Sequence, residues 1–267
     1  MLLKGIAVIS IAAAAAAGVY MQKIYLIPAF FIICFAGLFM IWALSCITCT
    51  LFVDTDKDCE KQSLVFRFYA NCIIDSLLQI LRIRLHIRGL EMLPEDKFLI
   101  AGNHRSSFDP IIEMGVMRRY NAGFIAKKEL FEIPVIGKIM HKCFCLSLDR
   151  GNARSDMMSI IKAINIIKSQ TASIGVYPEG TRNRGEKLLP FKNGAFKIAK
   201  KAECPIVVLR ITNSELIMKN APFKKTDVYL EVAGVLSADY TASSTTAEIG
   251  ERVRELLENN NLETKLK

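Results

Sequence analysis

The chain has 267 residues, of which 52% are hydrophobic, so it can bury one sizeable core and has room for one domain plus an appendage. Its formal net charge is +9, and the first 53 residues contribute only Lys4 and Lys23 and no acid, so the remainder is basic on its own account. A basic surface can serve nucleic acid, anionic lipid headgroups or phosphorylated substrates, and charge alone does not separate them. The apolar N-terminus favours lipid, and we expect no nucleic-acid partner.

Two uncharged stretches occupy the N-terminus, residues 5–20 and 24–53. As helices they would be about 24 Å and about 45 Å long, compared with a hydrocarbon core of about 30 Å. A helical hairpin that crosses the bilayer and one that only dips into it both fit these lengths. A signal peptide over residues 1–20 is the alternative, but the longer apolar stretch that follows at once favours the hairpin. We therefore predict membrane-associated helices and a linker over residues 1–62 and a second domain over residues 63–267.

The eight cysteines follow no pattern typical of a metal site or a disulfide framework. Cys34, Cys46 and Cys49 lie inside the apolar stretch, and no paired spacing of the zinc-ribbon kind occurs. We expect each cysteine to be a small buried apolar residue in a reducing compartment, and we expect no metal.

Helices and strands are predicted to alternate beyond the polar cluster at residues 54–63. Apolar residues recur with helical spacing over residues 64–81, which predicts a linker helix. Short β-like runs follow at residues 82–89, 97–103, 122–127, 144–148, 172–178, 206–212 and 228–234, with helical candidates at 154–169, 193–202 and 246–258. A Ser/Thr-rich loop at 241–245 can cap the last helix together with Glu248. This order predicts an α/β domain with a mixed, largely parallel sheet flanked by helices.

The run NHRSSFD places His104 just after a predicted strand and Asp109 five residues later, before Pro110. Two interpretations need no catalysis: Asp109 caps the helix, or Ser106 and Asp109 form a capping box. In a catalytic interpretation the turn brings the imidazole and the carboxylate into contact, as base and orienting acid. The nucleophile would then be Ser106, Ser107 or a hydroxyl of the substrate, and NHRSSFD alone leaves this open.

A second polar run, YPEGTRN, follows the strand predicted at 172–178. Seven basic residues and one acid lie within the twenty positions from 182 to 201, a density that suits a phosphate-bearing ligand. Arginine can grip a phosphate with two hydrogen bonds, and Gly180 allows close approach of the backbone. We expect Glu179 and Arg182 to be buried in this strand-exit loop, and the lysines of the following helix to form a solvated face.

Four blocks in this order resemble the glycerolipid acyltransferase family, and the match covers about residues 98–212. NHRSSFD resembles the family's H-x4-D signature, and YPEGTRN resembles its E-G-T-R signature. Residues 123–151 resemble the intermediate block, which ends in a basic residue at Arg150, and residues 189–211 resemble the final block. The bacterial 1-acylglycerol-3-phosphate acyltransferases are the most similar branch.

The resemblance implies a membrane-bound acyltransferase of the glycerolipid acyltransferase fold, with its catalytic domain on the cytoplasmic face. The reaction would carry an acyl chain from acyl-CoA or acyl carrier protein to the free hydroxyl of lysophosphatidate, giving phosphatidate, without cofactor or metal. His104 would be the general base and Asp109 its partner, in a direct attack that leaves Ser106 and Ser107 structural. The residues implied in acceptor binding are Glu179, Gly180, Thr181, Arg182, Lys127 and Arg150.

Overall fold

The computed structural model describes residues 2–59, 61–149, 153–185 and 187–259. Within these ranges the chain forms ten α-helices and seven β-strands. The helices are α1 (Leu2–Tyr20), α2 (Ile27–Leu51), α3 (Leu64–Ile80), α4 (Asp109–Val116), α5 (Ile136–Lys142), α6 (Ala153–Lys168), α7 (Lys197–Ala202), α8 (Ile217–Asn220), α9 (Ala238–Ser243) and α10 (Thr246–Glu258). The strands are β1 (Ile83–Arg88), β2 (Leu99–Gly102), β3 (Gly123–Lys127), β4 (Leu146–Leu148), β5 (Ile174–Val176), β6 (Ile206–Thr212) and β7 (Thr226–Leu236).

The first two helices pack against each other as a hairpin. Both are long and apolar enough to cross a membrane by length and composition. Gly18 lets them approach closely, because a Cβ atom at this position would lie 2.4 Å from the side chain of Ile27. The predicted hairpin is therefore confirmed as an arrangement of helices, and its insertion in a bilayer stays a prediction.

The third helix joins the hairpin to the α/β domain. Phe66 and Tyr69 of α3 pack with Cys46 from the end of α2 and with Ile139 of α5 in one buried cluster. Arg67 is buried and donates hydrogen bonds to the backbone oxygens of residues 121, 122 and 143, which fastens α3 to the loops before β3 and β4. The hairpin base thus rests directly on the domain, while the boundary drawn at residue 62 remains a prediction.

All seven strands form one sheet in the order β1-β7-β6-β2-β5-β3-β4. Strands β2 to β6 run parallel to one another, β7 is antiparallel to β6, and β1 is parallel to β7. The carboxyl ends of β2, β5 and β6, which are neighbours, therefore meet at one edge of the sheet. Ligand sites in α/β sheets form at that edge.

Helices cover both faces of the sheet, and the alternation of side chains along β2 explains why. Leu99 and Ala101 face a core shared with α6, α7 and α10, whereas Ile100 faces a core shared with α3 and α4. A strand buried on both faces reads as a continuous apolar run, as FLIA does here. The predicted α/β class and the mixed, largely parallel sheet are confirmed.

Most predicted elements have the expected bounds. Each of the seven predicted strands is present, and β6 and α10 match their predicted ranges to the residue. Thr245 and Glu248 form the predicted capping box of α10. The helix predicted at 193–202 instead begins with a 3₁₀ turn, Asn193–Phe196, before α7. All eight cysteines are free thiols within the described ranges, and five are buried as expected (Cys46, Cys72, Cys143, Cys145 and Cys204). Cys34, Cys49 and Cys59 are only partly buried, so the expected burial is wrong for these three.

Candidate active site

The loop after β2 is fixed to the neighbouring strand by Asn103. Its side-chain amide donates to the backbone oxygen of Ile211 (2.9 Å), and its side-chain oxygen accepts from the backbone N–H of the same residue (2.8 Å). These two hydrogen bonds extend the pairing of β2 with β6 beyond the last residue of β2. It sets the position from which His104 leaves the sheet.

His104 and Asp109 form a hydrogen-bonded pair at this edge of the sheet. The ring Nδ1 of His104 lies 2.9 Å from Oδ2 of Asp109, which is completely buried. The same Oδ2 accepts the backbone N–H groups of Arg105 and Ser106, both at 2.7 Å, and Oδ1 accepts the hydroxyl of Ser214 at 2.5 Å. Four hydrogen bonds offset the cost of burying the carboxylate. Since a carboxylate only accepts, Nδ1 carries the proton and Nε2 is the nitrogen left for chemistry.

The structure contradicts the interpretation of Asp109 as an N-cap and contains half of the capping box between Ser106 and Asp109. Helix α4 begins at Asp109 with Phe108 as its N-cap, and no side chain caps it, so the interpretation of Asp109 as the N-cap is wrong. Of the capping box only one half exists, the bond from Ser106 N–H to the Asp109 carboxylate. The Ser106 hydroxyl accepts from the backbone N–H of Phe108 instead (3.3 Å). The Asp109 carboxylate points toward the loop after β2, because the groups that it binds there are the His104 ring and the backbone N–H groups of Arg105 and Ser106.

Neither serine of the NHRSSFD run is bonded to the imidazole. Ser106 is buried in its turn, and the Ser107 hydroxyl accepts a hydrogen bond from Nη1 of Arg182 at 2.7 Å. In the part of the chain that the structure describes, the only hydrogen bond of the His104 ring goes to Asp109. An enzyme-borne serine nucleophile would need the opposite arrangement, with its hydroxyl on Nε2.

The loop after β5 packs directly against His104. Glu179 is buried and accepts the backbone N–H of His104 at 3.2 Å, while Asn183 donates its own N–H to the backbone oxygen of His104 at 2.6 Å. The second oxygen of Glu179 accepts from the side chain of Asn183 and from the backbone of Leu189. The expected burial of Glu179 is confirmed. Its contacts fit a positioning role better than contact with an anionic ligand, which a carboxylate would repel.

Gly180 and Thr181 occupy the turn that follows. Gly180 has a φ of +69°, in the left-handed region that favours glycine, and a Cβ atom there would lie 3.0 Å from the side chain of Lys192. Thr181 is exposed. The backbone conformation therefore favours glycine at position 180, whether or not a ligand binds.

Arg182 is exposed, so its expected burial is wrong. The chain turns outward after Gly180, and the guanidinium lies over the surface of the site, where it reaches Ser107. An exposed arginine at the mouth of the site can meet a ligand that arrives from solvent or from a membrane. The predicted role in phosphate binding remains a prediction.

Of the two remaining candidates, only Lys127 lies within the described residues. Lys127 is exposed at the carboxyl end of β3 and lines a cavity of about 230 Å³ together with Lys128 and Asp149. Arg150 lies outside the described residues. Among the described residues, no group of three or more His, Cys, Asp and Glu side chains could hold a metal ion.

Three further residues belong to the site and were not predicted from the sequence. They are Arg105 in the loop after β2, and Ser214 and Glu215 in the loop after β6. Ser214 binds Asp109, and Arg105 makes a two-pronged ion pair with Glu215, at 2.8 Å from Nε and 2.7 Å from Nη2. Arg105 also donates to the backbone oxygen of Gly185, so it links all three loops of the site. The sequence did offer one indication of Ser214 and Glu215, namely their position just after a predicted strand.

The half-buried Tyr177 and the buried Glu113 support the His104 ring. The ring of Tyr177 stacks on the imidazole with centroids 4.1 Å apart and planes 10° apart. Its hydroxyl donates to Glu113 at 3.1 Å, and Glu113 is completely buried one helical turn after Asp109. Burial, assisted by the charge of Asp109, raises the pKa of Glu113 well above its usual range. We therefore expect the Glu113 carboxyl to stay protonated to a higher pH than an exposed glutamate does.

Glu113→Gln is expected to flatten the pH dependence of stability. Because the folded-state pKa is raised above the ordinary 4.5, the stability contributed by the protonated carboxyl is fully present below that pH and is lost as pH rises toward the folded-state pKa. Glutamine is neutral and keeps an acceptor for Tyr177, so the melting temperature of the variant should gain on that of the wild type as pH rises above the ordinary 4.5.

The effect on stability is measured by thermal unfolding of the detergent-solubilised chain at a series of pH values above the ordinary 4.5. Glu251→Gln is the matched control, because Glu251 is exposed on α10, and its curve should follow that of the wild type. Parallel curves for Glu113→Gln and the wild type would mean that Glu113 is ionised in the folded protein.

Comparison with known proteins agrees with this geometry. The Acyltransferase family model matches residues 84–212, which include both signatures and the strands that hold them. The part of the chain from residue 84 to residue 212 belongs to the acyltransferase family, and the named relatives of the chain are acyltransferases.

Its relatives include the 1-acyl-sn-glycerol-3-phosphate acyltransferase of Saccharomyces cerevisiae, 26% identical over 86% of this chain and 75% of that protein. The Helicobacter pylori protein of the same name is 33% identical over 58% of this chain and 66% of its own length. Across these and similar curated relatives, the chain spans between 38% and 75% of their lengths.

A solved structure shares the fold. The 1-acyl-sn-glycerophosphate (LPA) acyltransferase PlsC from Thermotoga maritima superposes with a TM-score of 0.61, at 23% identity, over 75% of this chain and 80% of that one.

Proposed function

We propose that the chain is a 1-acylglycerol-3-phosphate O-acyltransferase, which transfers an acyl chain from a thioester to the free hydroxyl of lysophosphatidate and so makes phosphatidate. The observation that carries the proposal is the buried, four-fold bonded Asp109 that holds His104 by Nδ1. The names of its relatives support the acceptor. Acyl-CoA or acyl carrier protein would supply the thioester.

In this mechanism the nucleophile is the hydroxyl of the acceptor. Nε2 of His104 removes the hydroxyl proton as the oxygen attacks the thioester carbonyl carbon, and Asp109 stabilises the imidazolium that forms. The tetrahedral intermediate then expels the thiolate, which takes the proton from His104. The ester bond replaces the thioester bond and the thiol leaves, so neither an acyl-enzyme nor a cofactor is needed.

The engagement of both serines supports direct attack over a serine hydrolase. Ser106 accepts from the backbone of its own turn, and Ser107 accepts from Arg182. A hydrolase of the elbow type would carry G-x-S-x-G, which does not occur in this chain.

A membrane setting suits these substrates, because lysophosphatidate and phosphatidate partition into bilayers. The α1–α2 hairpin would anchor the chain, with the α/β domain on the cytoplasmic face where the thioester donors are found. Arg182 would bind the acceptor phosphate, with help from Lys127 and Arg150, and Glu179 and Gly180 would shape that loop.

An acceptor panel tests the proposal. Membranes containing the full chain are supplied with an acyl-CoA or an acyl carrier protein thioester and with lysophosphatidate, glycerol 3-phosphate, lysophosphatidylcholine or monoacylglycerol. Phosphatidate formed fastest from lysophosphatidate is the expected result. Transfer to monoacylglycerol at a similar rate would contradict the phosphate site, and a trapped acyl-serine would contradict direct attack.

Arg182→Ala is expected to raise the KM for lysophosphatidate with little change in kcat, because the arginine binds a phosphate that does not react. One lost charge-assisted contact of about 1.5–3 kcal/mol corresponds to a rise of roughly 10- to 100-fold. Arg252→Ala is the matched control, since Arg252 is an exposed arginine on α10 and its loss should leave KM unchanged. A fall in kcat at constant KM would instead place Arg182 at the reacting atoms.

A further inference from the structure

An exposed phenylalanine stands in the loop between α8 and β7, at residues 222–225. Phe223 is 88% exposed and is followed by the exposed Lys224 and Lys225. The loop is held in place by Arg82, whose Nη1 donates to the backbone oxygen of Phe223 at 2.7 Å. Ile80, at the end of α3, is 54% exposed two residues before Arg82. The 222–225 loop therefore presents an apolar ring next to two exposed lysines.

A basic cleft lies beside this 222–225 loop. It has a volume of about 610 Å³, and its charged lining consists of Lys4, Arg82, Arg84, Arg118, Lys225 and a single acid, Asp75. Asp75 forms an ion pair with Arg118, and Arg84 forms one with Asp227, so acids balance two of the five cations. Lys4, Arg82 and Lys225 remain to give the basic cleft a positive surface that suits phosphate groups.

The first turn of the membrane hairpin contributes to the same cleft. Lys4 belongs to α1, which begins at Leu2 and packs on α3. A lysine at the end of an otherwise apolar helix marks the level where hydrocarbon gives way to headgroups. Lys225 and Arg82 line the cleft with Lys4, so the 222–225 loop lies at that same level.

We propose that the 222–225 loop and the basic cleft form a second membrane contact, which binds the headgroup layer of an anionic phospholipid bilayer. Phe223 and Ile80 enter the interface, while Lys4, Arg82 and Lys225 contact lipid phosphates. The assignment rests on the proposed insertion of the α1–α2 hairpin. An exposed ring flanked by lysines matches the chemistry of an interfacial anchor, in which apolar burial and attraction to anionic lipid act together.

This contact would orient the active site toward the lipid. Phe223 lies nine residues after Ser214, and the short helix α8 is the element between them. Ser214 binds Asp109, and Glu215 binds Arg105. A bilayer that holds the 222–225 loop therefore holds the chain segment that supports the candidate catalytic pair.

Tryptophan fluorescence tests the contact in the full chain. Trp42 is the single native tryptophan and lies in α2, so it reports the hairpin, whereas Phe223→Trp in a Trp42→Phe background reports the loop. Both are reconstituted in vesicles of phosphatidylcholine and phosphatidylglycerol whose acyl chains carry bromine. Quenching of the tryptophan at position 223 is expected. A control tryptophan at Lys197, exposed on α7 across the sheet, should not be quenched.

The outcomes separate this proposal from the proposed anchor. Quenching of Trp42 without quenching at position 223 would overturn the loop contact and leave the hairpin in the bilayer. No quenching at either position would show that the hairpin itself is outside the membrane, and the loop contact would fall with it.

Charge variants test the preference for anionic lipid. Lys224→Gln with Lys225→Gln should raise the apparent KM on phosphatidylglycerol-containing vesicles roughly 5-fold per lysine, and leave activity on detergent-dispersed substrate unchanged. Lys197→Gln with Lys201→Gln makes the same change of charge on α7 and should have no effect. Equal effects of the two pairs would overturn the proposal in favour of a simple dependence on net charge.

Discussion

Replacing His104 with alanine is expected to lower kcat by roughly 10²- to 10⁴-fold, the range that a positioned general base contributes. The imidazole is held by Asp109 on one side and by Tyr177 below its plane, so the loss removes a group whose orientation the fold has already fixed. The ring is partly exposed and alanine leaves the loop contacts of its backbone in place, so the variant should remain folded. Initial rates with lysophosphatidate and an acyl thioester measure the effect.

The chain offers a matched control in a second His–Asp pair. Nε2 of His86 lies 2.8 Å from Asp227, and its ring stacks on Tyr229 with centroids 4.7 Å apart. This pair lies at the surface on β1 and β7, where the His86 side chain is 47% exposed. His86→Ala should leave kcat unchanged. If His104→Ala also left acyl transfer unchanged, the catalytic assignment would have to be abandoned.

The strands were predictable because each one has a local sequence pattern that is typical of a buried strand. Runs such as FLIA and IVVLRI are apolar, short and bounded by turn residues, and they became β2 and β6. Strand order was not predictable in this way, since the position of β2 between β5 and β6 depends on pairings between distant segments. The start of α7 also differed, because a 3₁₀ turn replaces the first turn of the predicted helix.

The candidate site was predictable only where its residues are close in sequence. The His104–Asp109 contact spans five residues, within the reach of a single turn. The supports of this pair are remote: Ser214 is 105 residues from Asp109, and Tyr177 is 64 residues from Glu113. No local pattern encodes such contacts. The exposure of Arg182 was missed because the chain turns outward after Gly180, whose φ is +69°.

Asp109→Asn should lower kcat by at most the roughly 10²- to 10⁴-fold expected for loss of His104, because Asp109 acts through this base. Asparagine can keep the geometry: its oxygen can accept from His104, Arg105 and Ser106, and its amide can donate to the Ser214 hydroxyl. What is lost is the negative charge that stabilises the imidazolium. KM for lysophosphatidate should therefore change little.

Ser214→Ala tests the hydrogen bond to Asp109 separately from the negative charge of Asp109. It removes the hydrogen bond to Oδ1 and keeps the carboxylate. Leaving a buried acceptor without its donor should cost about 1–3 kcal/mol of stability, measured by thermal unfolding. Its effect on kcat should be smaller than that of Asp109→Asn, since the charge and the Oδ2 contacts to His104, Arg105 and Ser106 persist. If Asp109→Asn instead raised KM at constant kcat, Asp109 would belong to acceptor binding, and His104 would act without a charged partner.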